Sequence, residues 1–188
     1  MFRLPRQDQE ALVAFAQELV RIPSPSTQEG EVALRLAQEM RQVGFAEVFT
    51  DRVGNVVGRI GPGRGRKLLY DGHMDTVGVG DRAAWQRDPF AAEIQGGILY
   101  GLGAADMKGA LASMVYGVKV LLDSGIPLDG DLYVVGVVQE EPSEGQAIRV
   151  FVEQEGVVPD FVVLGEATNL QIKRGQRGRM EIKVTVRG

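Results

Sequence analysis

The sequence predicts an α/β fold, a three-layer αβα sandwich around a largely parallel mixed sheet. Three segments carry this expectation: Lys67–Asp71, Asp131–Val138 and Asp160–Leu164. Each is a mainly apolar run of strand length, the pattern of strands buried on both faces. Between them lie segments with apolar residues at helical spacing, and strand–helix alternation places helices on both faces of a sheet. The chain has 188 residues, 44% of them apolar and 24% charged, enough for one domain with a proper core.

Leu12, Phe15, Ala16, Leu19 and Val20 fall at helical spacing, and Pro23 ends that helix. Ser26 and Glu29 have capping-box spacing. They predict a helix that buries Val32, Leu36, Met40 and Val43 and stops at Gly44. Two short β patterns follow, Glu47–Thr50 and Asn55–Ile60, then the turn-rich connector Gly61–Lys67. After the strand at Lys67–Asp71, the stretch from Thr76 to Ala105 reads as irregular. It includes a hairpin of Ala92–Ile94 and Ile98–Tyr100 about Gly96-Gly97. A long helix is predicted from Asp106 to Asp123, burying Leu111, Met114, Val115, Val118, Leu121 and Leu122 and closed by Gly125. Ser143 and Gln146 form a second capping-box pair, opening a helix to about Glu155. Gly178–Arg187 alternates like a half-buried strand, with Met180, Ile182, Val184 and Val186 on one side.

Composition removes several functions. There is no cysteine, so disulfides, thiolate nucleophiles and cysteine metal sites are excluded. The net charge is −4 and there is no long basic block, so no nucleic-acid partner is expected. Arg174, Arg177 and Arg179 read first as a solvated strand-turn face. No segment approaches the roughly 20 apolar residues of a membrane span, and the N-terminal stretch lacks a signal-length apolar run. The expectation is a cytoplasmic protein without a membrane partner.

The strands end in chemistry-bearing residues. LLYDGH leads to His73, the one histidine of the chain, and Asp75; LYVVGVVQEE leads to Glu140 and Glu141; FVVLGE leads to Glu166. Ligands of open α/β sheets bind outside the carboxyl ends of the strands. If these strands are parallel, one histidine and several acids converge on one rim, with Asp106 at the start of the long helix facing it. Crowded carboxylates repel and resist ionisation, and a divalent cation removes that cost. Nitrogen and oxygen donors without sulfur suit zinc, cobalt or manganese. In His73-Met74-Asp75 the outer residues point to the same side of an extended segment. Asp75 is therefore placed to accept a hydrogen bond from one His73 nitrogen while the other binds metal. Of Glu140 and Glu141, one can hold metal while the other receives a proton from an activated water. Each signal alone has a bland reading: a structural histidine, a charged loop before a capped helix, an acid favoured by a helix dipole.

The ordered run YDGHMDTV, WQRDPF, GLGAADMKG, QEEPSEG, LGEAT and GQRGRMEIKVTVRG resembles the two-metal amidohydrolases and peptidases. Among these are acetylornithine deacetylase, succinyl-diaminopimelate desuccinylase, aminoacylase and carboxypeptidase G. WQRDPF and GQRGRMEI look closest to the selenium-metabolism-linked hydrolase branch. The resemblance implies that His73 and Glu166 ligate one metal, that Asp106 bridges two, and that Glu141 ligates the second. It implies Glu140 as general base, Asp75 as the carboxylate behind His73, and a cis peptide at Asp106–Met107. The implied reaction is hydrolysis of an amide bond in an N-acyl amino acid or small peptide.

The resemblance further implies that residues 1–178 are the N-terminal portion of a catalytic domain. Residues 179–188 would be a strand leading toward a lid or dimerisation domain. Two family histidines, one in the lid and one near the C-terminus, have no counterpart here. The expectations are one stronger metal site, a second incomplete one, weak or no activity of this chain alone, and self-association through unpaired edges. Two alternatives stay open: a non-catalytic metal-binding or partner-binding remnant of the same scaffold, and a metal-free α/β binding protein.

Overall fold

A computed structural model describes residues 4–143, 145–175, 178, 180 and 182–187. Helix α1 (Arg6–Arg21) buries Phe15, Ala16, Leu19 and Val20, the face its spacing predicts. Helix α2 (Gly30–Val43) buries Val32, Leu36 and Met40 and stops at Gly44, whose φ of 104° suits a residue without Cβ. The predicted capping box at its start is not formed: Glu29 occupies the N-cap position, and no side chain caps the helix. Strands β1 (Glu47–Thr50) and β2 (Val56–Ile60) form an antiparallel pair.

Strand β3 (Lys67–His73) runs two residues past its predicted end, to the histidine itself. The long connection after it holds a hairpin of β4 (Glu93–Gln95) and β5 (Ile98–Tyr100), as expected, and a short 3-10 turn at Arg82–Ala84. Helix α3 (Gly109–Asp123) begins three residues later than predicted, and Leu122 stays 37% exposed rather than buried. Strand β6 (Asp131–Val137) is buried along its whole length. The short helix α4 (Glu140–Ser143) precedes α5 (Gln146–Gln154). Gly145, at φ 92°, is the α5 N-cap, so the Ser143–Gln146 box does not form either. Strand β7 (Phe161–Leu164) is the last regular element among the described residues. The strand expected over Gly178–Arg187 is absent at its described positions, where Met180, Ile182, Val184 and Val186 are exposed.

The main sheet has the order β1-β2-β6-β3-β7, with β6, β3 and β7 parallel and β1 and β2 antiparallel. Helices α1, α2 and α3 pack on one face. There Gly136 and Gly72 lack side chains because Leu36 and Met74, and Met107 and Leu111, fill the space. Helix α5 covers the other face, with the Phe151 ring edge-on to Tyr133 at 6.3 Å. These layers give the predicted sandwich. Strand β7 corrects one inference from it. Its apolar run reads as buried, yet Phe161, Val162, Val163 and Leu164 are 47 to 61% exposed. Its apolarity is that of a central strand, but among the described residues β7 pairs only with β3. Among the described residues no helix is long and apolar enough to cross a membrane.

Candidate metal centre

The parallel strands bring their carboxyl ends to one crevice, a cavity of about 450 Å³ lined by Asp71, His73, Asp106, Glu140, Ile148 and Glu166 among others. His73 closes β3 and is 2% exposed. Its Nε2 lies 2.9 Å from Asp106 Oδ1, 3.8 Å from Glu166 Oε1 and 4.0 Å from Glu140 Oε2. One ligand atom each from His73, Asp106 and Glu166 falls within 4.8 Å of the other two, a spacing that admits a single cation between them. Glu141 stands outside that triangle, although among neighbouring charges Asp106 acts on it most strongly. Arg174 is exposed, and Arg177 and Arg179 lie outside the described residues.

Asp106 reaches the rim because the chain before α3 is not helical. Asp106 has φ −127° and ψ 92°, and its peptide bond to Met107 is cis, as the resemblance implies. Asp106 is therefore not an ordinary first-turn acid. Lys108, fully buried, anchors the segment: its Nζ donates to Leu19 O at 2.9 Å and Ile22 O at 2.8 Å, the carbonyls at the end of α1. Burial pulls its pKa down to about 8.

Asp75, also fully buried, differs from its predicted contact with His73. The backbone carbonyl of Asp75, at 2.9 Å, accepts from His73 Nδ1, while the carboxylate is 3.6 Å away. Either arrangement leaves Nε2 facing the acids. The carboxylate instead accepts Ser26 Oγ at 2.6 Å and the backbone N–H groups of Glu140 at 3.0 Å and Glu141 at 3.2 Å. Burial raises the Asp75 pKa, but the His73, Ser26 and backbone interactions outweigh it and hold the carboxyl below its ordinary value.

The rim carries more negative charge than it neutralises. Burial, together with neighbouring acids, raises the pKa of Glu140, Glu141 and Glu166. Asp71 is pushed up to about 6 by burial and then by Glu166 and Glu140. Burial works against a charged His73, but Asp75 and Asp106 prevail and lift it to about 10. A proton on His73 thus serves where a divalent cation would serve better, so the donor set fits a metal.

Sequence reasoning missed Asp71, Lys108 and the site roles of Ser26 and Glu29. A carboxylate inside the otherwise apolar LLYDGH run was the available signal for Asp71, since charge is costly there. The Ser26–Glu29 spacing reads as a helix cap, which hides its link to Asp75 and Gln139.

Fold and crevice together define an α/β protein with a candidate centre of nitrogen and oxygen donors at the ends of parallel strands. The chain belongs to peptidase family M20/M25/M40, which matches residues 69–186. It is 42% identical over 180 residues to the uncharacterized protein YgeY of Escherichia coli K12, covering 96% of this chain and 44% of that protein. It is 35% identical over 191 residues to the succinyl-diaminopimelate desuccinylase of Methylocella silvestris, covering 94% of this chain and 49% of the relative. The fold matches the M20 family metallo-carboxypeptidase Sso-CP2 of Sulfolobus solfataricus with a TM-score of 0.69 at 23% identity, covering 86% of this chain and 37% of that one. The chain spans about half the length of the curated relatives it matches.

Proposed function

We propose that the chain is the N-terminal portion of a metal-dependent hydrolase that cleaves an amide bond of an N-acyl amino acid or small peptide. The observation that carries the reading is the convergence of His73, Asp106 and Glu166 donor atoms within 4.8 Å, with Glu140 Oε2 4.0 Å from His73 Nε2. His73, Asp106 and Glu166 would hold one divalent ion, zinc with cobalt or manganese as substitutes, and three protein ligands are the usual number at a catalytic zinc. Asp106 and Glu141 offer an incomplete second position. The bound ion supplies Lewis acidity and lowers the pKa of an attacking water.

Glu140 is the base. Its carboxylate borders the cavity, and its raised pKa makes it a better proton acceptor than an ordinary glutamate. It takes the proton of the attacking water and returns it to the leaving amine. Asp75 positions both His73 and the backbone of Glu140. Activity of these 188 residues alone is expected to be weak, because His73 is their one histidine and, among the described residues lining the crevice, no second cationic or neutral donor side chain is present to stabilise an oxyanion.

The test is metal content followed by turnover. The chain, stripped with chelator and reloaded, binds one zinc tightly, and alanine at His73, Asp106 or Glu166 removes that binding. Unchanged stoichiometry in all three variants sinks the proposal. Any slow hydrolysis across a panel of N-acyl amino acids is lost in Glu140→Gln while zinc binding persists. A non-catalytic metal-binding module of this scaffold predicts the same zinc content and no turnover that depends on Glu140.

A further inference from the structure

The turn that carries Glu140 and Glu141 is held by four successive backbone N–H groups, each donating to a side chain from elsewhere in the chain. Val138 donates to Asn55 Oδ1 at 3.0 Å, and Gln139 to Glu29 Oε1 at 2.9 Å. Glu140 donates to Asp75 Oδ1 at 3.0 Å and Glu141 to Asp75 Oδ2 at 3.2 Å. Two of the three accepting side chains, Glu29 and Asp75, are carboxylates, and bonds to charged acceptors are the stronger kind. Gln139 has φ +53°, a conformation that a non-glycine residue keeps only when its surroundings hold it there.

Glu29 is 5% exposed, and the same Oε1 also accepts Thr27 N at 3.0 Å. Ser26, with its hydroxyl 2.6 Å from Asp75 Oδ2, binds the other carboxylate of the set. Beside it Ser24, fully buried, donates to Met74 O at 2.8 Å and accepts Thr76 N at 2.9 Å. The segment before α2 is therefore bonded to both sides of Asp75. Ser26 and Glu29 have the spacing of a capping pair, yet Ser26 bonds Asp75 and Glu29 accepts from Thr27 and Gln139, and α2 starts without a side-chain cap.

We propose that Ser26 and Glu29 are positioning residues. Glu29 fixes the turn that presents Glu140 and Glu141; Ser26 fixes the Asp75 carboxylate, which holds that turn, and with it the residue whose backbone carbonyl accepts from His73. Neither touches substrate or the donor triangle. The catalytic consequence rests on the reading of Glu140 as base; the structural claim does not.

The experiment uses the 188-residue chain and the variants Glu29→Ala, Glu29→Gln, Ser26→Ala and Ser26→Thr. Amide hydrogen exchange is read by NMR at Gln139, Glu140 and Glu141, with Val134 and Val135 of β6 as internal reference. Cobalt affinity and the visible cobalt spectrum are read alongside. Glu29→Ala speeds exchange at Gln139 and its neighbours by about tenfold or more, the loss of a bond to a charged acceptor, and leaves Val134 and Val135 unchanged. Glu29→Gln, which keeps the accepting oxygen, retains most of the protection. Ser26→Ala weakens cobalt binding by about 10–100-fold and alters the spectrum, and Ser26→Thr restores both.

Unchanged exchange at Gln139, or acceleration shared equally by Val134 and Val135, overturns the role of Glu29. Unchanged cobalt affinity in Ser26→Ala overturns the role of Ser26. Should Glu29→Ala not fold, Glu29→Met, of similar length but without the accepting oxygen, decides on exchange: acceleration confined to the turn supports the proposal, and no change refutes it; Ser26→Ala decides on cobalt affinity as above. If the parent chain binds no cobalt, the metal reading fails, and the exchange pattern still decides this one.

Discussion

Asp75→Asn exchanges one carboxylate oxygen for an amide nitrogen with almost no change of shape. In the parent, the two oxygens accept three hydrogen bonds, at 2.6, 3.0 and 3.2 Å, in a residue with no solvent exposure. The amide keeps one acceptor and turns a donor toward either Glu140 N–H or Glu141 N–H. One buried N–H then has no partner, at about 1–3 kcal/mol, and the remaining bonds lose the assistance of charge, each worth about 1.5–3 kcal/mol when charged. The net loss is on the order of 3 kcal/mol. Urea unfolding of the metal-free chain at neutral pH measures it, and zinc titration of the same protein is expected to show affinity down about 10–100-fold. The pH dependence has a definite sign. The folded-state pKa of Asp75 is lowered, so its contribution is present above the ordinary carboxylate range and lost as pH falls through the folded value. The gap between parent and variant therefore narrows in acid. A variant within about 0.5 kcal/mol of the parent, with unaltered zinc affinity, would show that the Asp75 charge holds neither the turn nor the centre. Lost stability with unaltered affinity makes Asp75 structural only.

Three further outcomes are expected. His73 is raised to about 10 in the cation-free chain. Its contribution to stability is complete below its unfolded value of about 6.5 and lost as pH rises through about 10. An incoming zinc ion displaces that proton, so apparent affinity measured by competition with a chelator rises about tenfold per pH unit from about pH 6.5 to about pH 9; a flat profile contradicts this. Phe151→Ala removes a fully buried ring from α5, the helix that covers the second face of the sheet. It is expected to cost about 3–5 kcal/mol in urea unfolding, and a loss near zero would mean that α5 does not seal the sheet. Light scattering of the 188-residue chain is expected to show self-association through the exposed β7 edge, and Val163→Lys to reduce it. A monomer at all concentrations argues against that edge.

Much of the fold is legible locally. Phe15, Leu19, Leu36 and Met40 repeat at helical spacing, and all are buried. The β6 run predicts a strand covered on both faces, as found. Such patterns work because a side chain's direction follows from its own backbone, so periodicity reports which face is inward. His73, Glu140, Glu141 and Glu166 were legible as candidates because charge at the end of an apolar strand is costly without a use, and Asp106 because the long helix begins beside the same rim. What the residues do to one another depends on partners far away in the chain. Ser26 and Asp75 are 49 residues apart, and Glu29 and Gln139 are 110 apart. At that distance a capping-box spacing carries no information about which carboxylate or N–H group will be within reach. The same holds for β7, whose apolar sequence reads as central while the strand order leaves it at an edge. Local pattern is enough for the layers, the apolar runs of the parallel strands and the donor types. Which donors meet, and the hold of the residues before α2 on the turn beside the centre, are long-range contacts that no local pattern encodes.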